Sequence, residues 1–494
     1  MYSFRLLITL GLLGISLAAS PNTFAGPKSK SCDSRNNNKA KKLLECVTLE
    51  GTREHQAALQ AIADANHGIR TSGTPGYDES MFYVKDRMKK AGYKVKVQPF
   101  QFNNYIELGA STLKQTATVP TVYVEETDYS LMSQTDRGDV NGPVTAVDLD
   151  LGLGNASTSG CEAADFTGFP AGDIALIQRG ACSFQLKAEN AAAAGAIGAI
   201  IFNQGNTADR RGLIGGTLGS GYVGGIPAFD ATYARGEEWA TTSELELHMI
   251  ADVFRGEVTT FNVLAESKKG KKGNVVMAGA HLDSVNAGPG INDNGSGSAS
   301  ILEVAEAMMK TKTHNKVRFA WWAAEESGLV GSTYYVANLK QKDQDKIAQY
   351  LNFDMVGSPN HVFFIYDGDD SDGVGAGPGP EGSAEIEMVF EDYYTSVGEP
   401  FKGTDFSGRS DYGPFIAVGI PSGGLFTGAE GIKTPEEAEL WGGIAGEQYD
   451  PCYHLACDTY DNVNLHALDV NVDAIAYTIL EFAMAKKKGK KKKH

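Results

Sequence analysis

The sequence predicts an α/β fold, a mixed sheet flanked by helices and carrying a β-rich insertion. Three observations carry this reading. From Thr260 to Ala485, short apolar runs of strand length alternate with longer segments of helical period, which is the pattern of a sheet covered on both faces. The same texture appears earlier, between Thr52 and Phe102. Between these stretches, residues 108–253 turn rich in Gly, Ala, Thr and Val, with short strands and many turns. Helix and strand material on both sides makes that region an insertion rather than a preceding domain.

In chain order, Thr52–Ala65 and Tyr77–Ala91 suit helices, and Tyr93–Phe102 alternates like a strand. Inside the insertion, Asp173–Arg179 reads as a buried strand, Phe184–Ala194 as an Ala-rich helix and Ala199–Asn203 as another strand. Phe261–Ala265 and Val275–Ala280 follow as strands. Ser298–Met309 is a strong helix whose apolar stripe runs through Ile301, Leu302, Val304, Ala305, Met308 and Met309. Val317–Ala323, Tyr350–Met355, Val362–Tyr366 and Ile420–Phe426 read as strands, and Ala384–Tyr394 and Val470–Ala485 as helices.

Length and composition narrow the class. The chain has 494 residues, 42% of them hydrophobic and 21% charged, enough for several domains with a sizeable core and unlike a disordered chain. Net charge is −17. The basic tail 486–494 holds seven lysines, and without it 37 basic residues face 61 acidic ones. So acidic a body is unsuited to nucleic acid, whose phosphates need a basic surface.

Arg5, the apolar run Leu6–Leu17 and the small residues after it read as a secretory signal peptide over residues 1–25. A membrane anchor is the alternative, but the run is short for a span. A secreted, extracellular protein is therefore expected. Six cysteines fit export. The simplest pairing among many joins Cys32 with Cys46, Cys161 with Cys182 and Cys452 with Cys457.

Three apolar runs end in metal-type ligands. Val275–Ala280 leads to His281, Val317–Ala324 to Glu325 and Glu326, and Leu351–Phe353 to Asp354. Ligand sites of open α/β sheets lie beyond the carboxyl ends of strands. Asp293, in the turn Ile-Asn-Asp-Asn-Gly, and His454, between Cys452 and Cys457, add two more. Imidazole and carboxylate are zinc donors. Five such groups serve two zinc ions only if one bridges, and Asp293 on its turn is the natural bridge. Two metals about 3.5–4 Å apart can activate a water and stabilise a developing oxyanion. Adjacent Glu325 and Glu326 suit two roles, one as ligand and one as general base and then acid. Asp283 is placed to orient His281 through its second ring nitrogen. Gly377–Gly382 formally matches a dinucleotide fingerprint, but its two prolines and polar approach argue against one.

The strings AGAHLDSVNAGPGINDNGSG, WWAAEESGLVGS, NFDMVGSP, GRSDYGPF and DPCYHLACDTYDN resemble the bacterial secreted dizinc aminopeptidases of the leucyl aminopeptidase type. The likeness covers the lead-in and everything from about Thr260 to Ala485. GDIALIQRGACSFQLKAENAAAAGAIGAIIFN resembles a protease-associated domain. The resemblance implies a zinc-exopeptidase fold (a phosphorylase/hydrolase-like mixed sheet) divided as 26–107 propeptide and domain start, 108–253 insertion and 254–485 peptidase. It implies two zinc ions, one on His281 and Asp354, the other on Glu326 and His454, with Asp293 bridging and Glu325 as base. Tyr453 would stabilise the oxyanion, and Glu325 and Asp354 would recognise the free α-amino group. Arg409 and Phe426 would line the substrate end of the pocket, with a hydrophobic first residue such as leucine expected. Asp469 and Asp473 match the spacing of a calcium-binding pair, although two i, i+4 acids also suit a solvated helix face. A monomer acting on peptides with a free N-terminus is expected, with the insertion covering the cleft. Three alternatives stand beside this: a carboxypeptidase or glutaminyl cyclase relative, a non-catalytic receptor that keeps the fold, and a binding module led by the region 108–253.

Overall fold

The computed structural model describes residues 31–486 apart from Thr118 and Ala376. The expected signal peptide and the tail beyond Lys486 lie outside the described residues. The main sheet has eight strands: β1 (Lys94–Glu107), β2 (Val253–Glu266), β3 (Lys271–His281), β4 (Asn315–Trp322), β5 (Ile347–Phe353), β6 (Phe364–Tyr366), β7 (Lys402–Thr404) and β8 (Ser422–Phe426). Their order is β1-β2-β4-β3-β5-β8-β6-β7. The central strands β4, β3, β5 and β8 are parallel, while β1 and β2 join antiparallel at one side and β6 runs antiparallel to β8. Chain-consecutive strands thus lie on opposite sides of β3, and such a switch in strand order opens a crevice at the strands' carboxyl ends.

Both faces of the centre are covered, so β3 is apolar without alternation from Val275 to Ala280. Val276, Ala278 and Ala280 join one core with the helices Leu49–Ala65, Pro75–Lys90, Gly295–Ala307 and Leu465–Met484. Met277 faces the other core with Trp322, Tyr335, Tyr350 and Phe415. There the Tyr350 and Phe415 rings stack at 3.9 Å, and Trp322 Nε1 donates to the Tyr350 hydroxyl at 2.8 Å. Helix starts follow capping chemistry. Thr48 accepts from the Gly51 N–H, and Asn294 from the Gly297 N–H at 2.9 Å.

A second eight-stranded sheet lies between Thr112 and Ala251 and has cores of its own around Leu176, Ile200 and Phe229, and around Ile177 and Ile201. It is joined to the main sheet by β1 and β2, which pair without a break from Lys94↔Glu266 to Glu107↔Val253. Both strands are longer than the sequence pattern suggested. Beyond Phe102 and before Val258 the ribbon leaves the main core, so one-face apolar alternation lapses there while backbone pairing continues.

The structure joins the cysteines as the simplest pairing expected: Cys32 to Cys46, Cys161 to Cys182, and Cys452 to Cys457. No described cysteine is free. Cys32 and Cys46 are buried in the main core, where their bridge ties the segment before the helix Leu49–Ala65 to itself. Cys161 and Cys182 belong to the inserted region. No helix among the described residues is long and apolar enough to cross a membrane.

Candidate metal centre

The carboxyl ends of β3, β4, β5 and β8 open onto a cleft of about 470 Å³. His281 is the last residue of β3, Glu325 and Glu326 follow β4, Asp354 follows β5 and Phe426 ends β8. Asp293 enters from the turn before the helix Gly295–Ala307, and His454 from the loop closed by the Cys452–Cys457 disulfide. The other four cysteines, Cys32, Cys46, Cys161 and Cys182, do not line the cleft; their bridges are structural and take no part in the site. Ala324 (φ 55°), Met355 (φ 50°) and His454 (φ 58°) hold left-handed backbone, which costs a residue with a Cβ roughly 1–3 kcal/mol. The surroundings enforce it. The Ala324 N–H donates to Ser72 Oγ at 2.7 Å, and the Met355 N–H to Asn294 Oδ1 at 3.3 Å. Each bent residue lies beside or at a metal-type side chain and aims it into the cleft.

Two groups of three ligand atoms share one residue: His281, Asp293 and Asp354, and Asp293, Glu326 and His454. His281 Nε2 lies 3.2 Å from Asp293 Oδ1 and 3.3 Å from Asp354 Oδ1. His454 Nε2 lies 3.2 Å from Asp293 Oδ2 and 3.1 Å from Glu326 Oε2. The two oxygens of Asp293 therefore face different imidazoles. Glu325 Oε2 is 4.0 Å from His281 Nε2, so the adjacent glutamates stand beside different imidazoles, although ligand atoms of His281, Glu325 and Glu326 all lie within 4.8 Å of one another. His281 Nδ1 faces the backbone carbonyl of Asp283 at 3.2 Å, with the Asp283 carboxylate farther off at 3.6 Å. Asp283 thus stands beside the imidazole as expected, but its main chain makes the hydrogen bond, while its Oδ1 accepts the Glu325 N–H at 3.3 Å.

The donor set fits a divalent cation. Asp354 Oδ1 and Glu326 Oε1 are buried and accept no hydrogen bond, an expense that buried carboxylates avoid unless something else satisfies them. Asp293, Glu325, Glu326, Asp354 and Asp411 face two imidazoles. Burial, reinforced by Asp293, pushes Glu326 up to about 7. Burial also raises Glu325 well above the usual carboxylate range against the pull of His281, and lifts Asp411 to about 7. Burial alone would lower both histidines. Asp354 and Glu325 override it at His281, raising it well above 6.5, and Asp293 and Glu326 raise His454 to about 10. Two imidazoles and three carboxylates are zinc donors.

Tyr453 and Arg409 also line the cleft, with Phe426. The Tyr453 ring stacks on His454 at 3.8 Å. Arg409 pairs with Glu430 at 2.8 Å on the rim. None of the lining residues comes from 108–253. Asp469 and Asp473 lie on the helix Leu465–Met484, outside the cleft. Among the described residues no third carboxylate or imidazole completes a ligand group with them. Sequence reasoning missed three supports. Asp458 accepts the N–H groups of Asn292 and Asp293 at 2.7 and 2.9 Å. Ser410 Oγ donates to Asp354 Oδ2 at 2.5 Å. Arg70, fully buried, donates to the carbonyls of Leu282, Pro289 and Gly290 and fixes the loop after His281.

Comparison with known proteins agrees with this geometry. Residues 262–479 match the model of peptidase family M28, and residues 140–239 that of the PA domain. An aminopeptidase of Pseudomonas aeruginosa (strain UCBPP-PA14) is 55% identical over 436 residues, covering 88% of this chain and 81% of its own. Leucine aminopeptidase 2 of Trichophyton equinum is 47% identical over 336 residues, covering 67% and 66%. The solved zinc aminopeptidase of Bacillus subtilis superposes with a TM-score of 0.60 at 26% identity, covering 89% of this chain and 96% of its own. The chain therefore belongs to peptidase family M28 with a PA domain built into it, and it is a zinc-dependent aminopeptidase of that family.

Proposed function

We propose that this enzyme is exported and removes the first residue of peptides, preferring a hydrophobic one such as leucine, with two zinc ions at the cleft. The observation that carries this is the pair of ligand groups sharing Asp293, with Glu325 beside them in the same cleft. On this reading His281 and Asp354 would hold one zinc and Glu326 and His454 the other, with Asp293 shared between them. Bound there, the zinc pair would polarise the scissile carbonyl and acidify the attacking water.

The remaining chemistry falls to side chains. Glu325 takes the proton from the attacking water and delivers it to the nitrogen of the leaving amine; its burial favours a carboxyl that holds a proton readily. The Tyr453 hydroxyl, held by the stack on His454, donates to the oxygen of the scissile carbonyl as negative charge develops there. Glu325 and Asp354 supply carboxylate oxygens to the substrate's α-ammonium group, which restricts cleavage to the N-terminal bond. Phe426 and Met355 give the cleft an apolar wall for the first side chain, and the Trichophyton relative's name supports leucine.

Export is supported by the three disulfides and the leader-like start, and the division at 107/108 and 253/254 by the ribbon that joins the two sheets. A monomeric state belongs to the same reading. Calcium at Asp469 and Asp473 would have to complete its shell with water or carbonyl oxygens.

The test is hydrolysis of leucine p-nitroanilide beside its N-acetylated counterpart, with zinc counted per chain. Cleavage of the free-amine substrate alone, by protein holding two zinc ions, is expected. Equal cleavage of both would overturn the N-terminal reading, and one zinc in fully active protein would overturn the paired centre.

A further inference from the structure

The pole opposite the cleft carries a second cavity, of about 350 Å³, lined by Lys94, Lys96, Lys272, Lys316, Arg318 and Lys346 against two carboxylates, Glu266 and Asp343. Both carboxylates are already engaged. Glu266 Oε2 lies 2.6 Å from Arg318, its Oε1 lies 3.5 Å from Lys316, and Asp343 pairs with Lys346 at 2.6 Å. Lys94, Lys96 and Lys272 have no acidic partner among the described residues and are exposed. This concentration of positive charge stands on a chain of net charge −17.

The cavity is built rather than scattered. Lys94 and Lys96 project from one face of β1, as alternate residues do, and pair in register with Glu266 and Leu264. Lysines on an edge strand also keep other strands from pairing there, which accounts for Lys94 and Lys96 alone. It does not account for Lys316 and Arg318 on β4, third from the edge. Lys316 is 5% exposed, with its ammonium on the Ser267 carbonyl, and Arg318 donates to the Tyr335 hydroxyl at 2.6 Å. Leu264, Tyr335 and Leu339 form an apolar floor. An adjoining cavity of about 260 Å³ adds Lys268, Lys269, Lys310 and Lys312. Asn315 donates to the carbonyls of Phe482 and Ala485, so the chain leaves its last helix at this same pole. Lys272 and His281 stand at opposite ends of β3, roughly 30 Å apart along the strand, too far for this cavity to be part of the cleft.

We propose that this cavity is a binding site for phosphate groups, free or carried by a lipid headgroup. Clustered ammonium groups beside a fixed guanidinium suit a multiply charged tetrahedral anion. The inference is independent of the peptidase reading, since its test does not use turnover.

Lysine acylation of the full zinc-loaded chain, read residue by residue by mass spectrometry, tests it. The probes are inorganic phosphate against chloride at matched ionic strength, and phosphatidylglycerol against phosphatidylcholine vesicles. Protection of Lys94, Lys96 and Lys272 by inorganic phosphate identifies free phosphate as sufficient, and protection by phosphatidylglycerol alone identifies a headgroup. No protection by either, or protection confined to the lysines after Lys486, overturns the site. The joint change Lys94→Gln, Lys96→Gln and Lys272→Gln should weaken binding by about tenfold or more. The charge-matched set Lys41→Gln, Lys42→Gln and Lys114→Gln should leave it within about twofold. Equal weakening by both sets would mean long-range charge and no site.

Discussion

The carboxylate of Asp458 accepts the main-chain N–H of Asp293 at 2.9 Å while its other oxygen holds that of Asn292 at 2.7 Å. Asp458 is 2% exposed, so these two bonds fix the turn whose side chain faces both imidazoles. Asp458→Ala would leave two buried N–H groups unsatisfied, each costing roughly 1–3 kcal/mol. A loss of about 2–6 kcal/mol in urea unfolding with chelator present is expected. Zinc affinity should fall about 10–100-fold, as when an outer hydrogen-bond partner of a metal ligand is lost. Unchanged zinc affinity would show that Asp293 needs no help to keep its place.

Metal removal should loosen the whole crevice. Without a cation, the buried Oδ1 of Asp354 and Oε1 of Glu326 stay without a hydrogen-bond partner, and the acids around them repel. Zinc at a thousandfold excess over its dissociation constant stabilises the native state by about 4 kcal/mol. Calorimetry should therefore show a drop of several degrees in melting temperature with chelator, recovered on adding zinc. Identical melting with and without chelator would mean that the cluster is not a metal centre.

Neighbouring glutamates should fail differently. Glu325→Gln keeps every proposed ligand and removes the proton acceptor, so zinc content should hold while kcat falls by about 10²–10⁴. Glu326→Gln changes a group 3.1 Å from His454 Nε2, so zinc should be lost first from the His454 half, and activity with it. Metal counting beside kinetics separates the two. If both variants bound zinc like the parent and lost activity alike, the division of labour would be wrong.

What could be read in the sequence follows from where each residue's partners lie. His281, Glu325, Glu326 and Asp354 were legible because each closes an apolar run, and strand ends are where such sheets place chemistry. Asp293 was legible from its Asn/Gly turn. His454 was harder, since no strand leads to it, and only its place between two cysteines and the family likeness marked it. The bridges from Cys32 to Cys46 and from Cys161 to Cys182 were legible because each joins neighbours along the chain. Arg70 gave no signal. Its partners are backbone carbonyls at Leu282, Pro289 and Gly290, more than 200 positions away, and carbonyls carry no sequence signature. Asp458 and Ser410 act on main chain and on a ligand across the fold in the same way, though both stand within or beside recognised strings. The long ribbon of β1 and β2 was half legible, because backbone pairing persists where apolar alternation stops.

Acid should weaken the fold through a histidine away from the cleft. His361 is 5% exposed, with its ring 5.1 Å from that of Phe363. Burial, with Lys433 and His466 adding repulsion, pushes it down to about 4 from 6.5. Between those values the unfolded chain takes up a proton that the native state refuses, so stability falls as pH drops from about 6.5 toward 4 and is unaffected by this group above that window. The full effect is about 3 kcal/mol. His361→Phe cannot titrate and keeps an aromatic ring beside Phe363. Its urea stability should therefore decline less than the parent's between pH 7 and pH 4.5, both measured with chelator so that metal loss does not enter. Parallel declines would mean that His361 is protonated in the native state and that the acid sensitivity arises among the carboxylates instead.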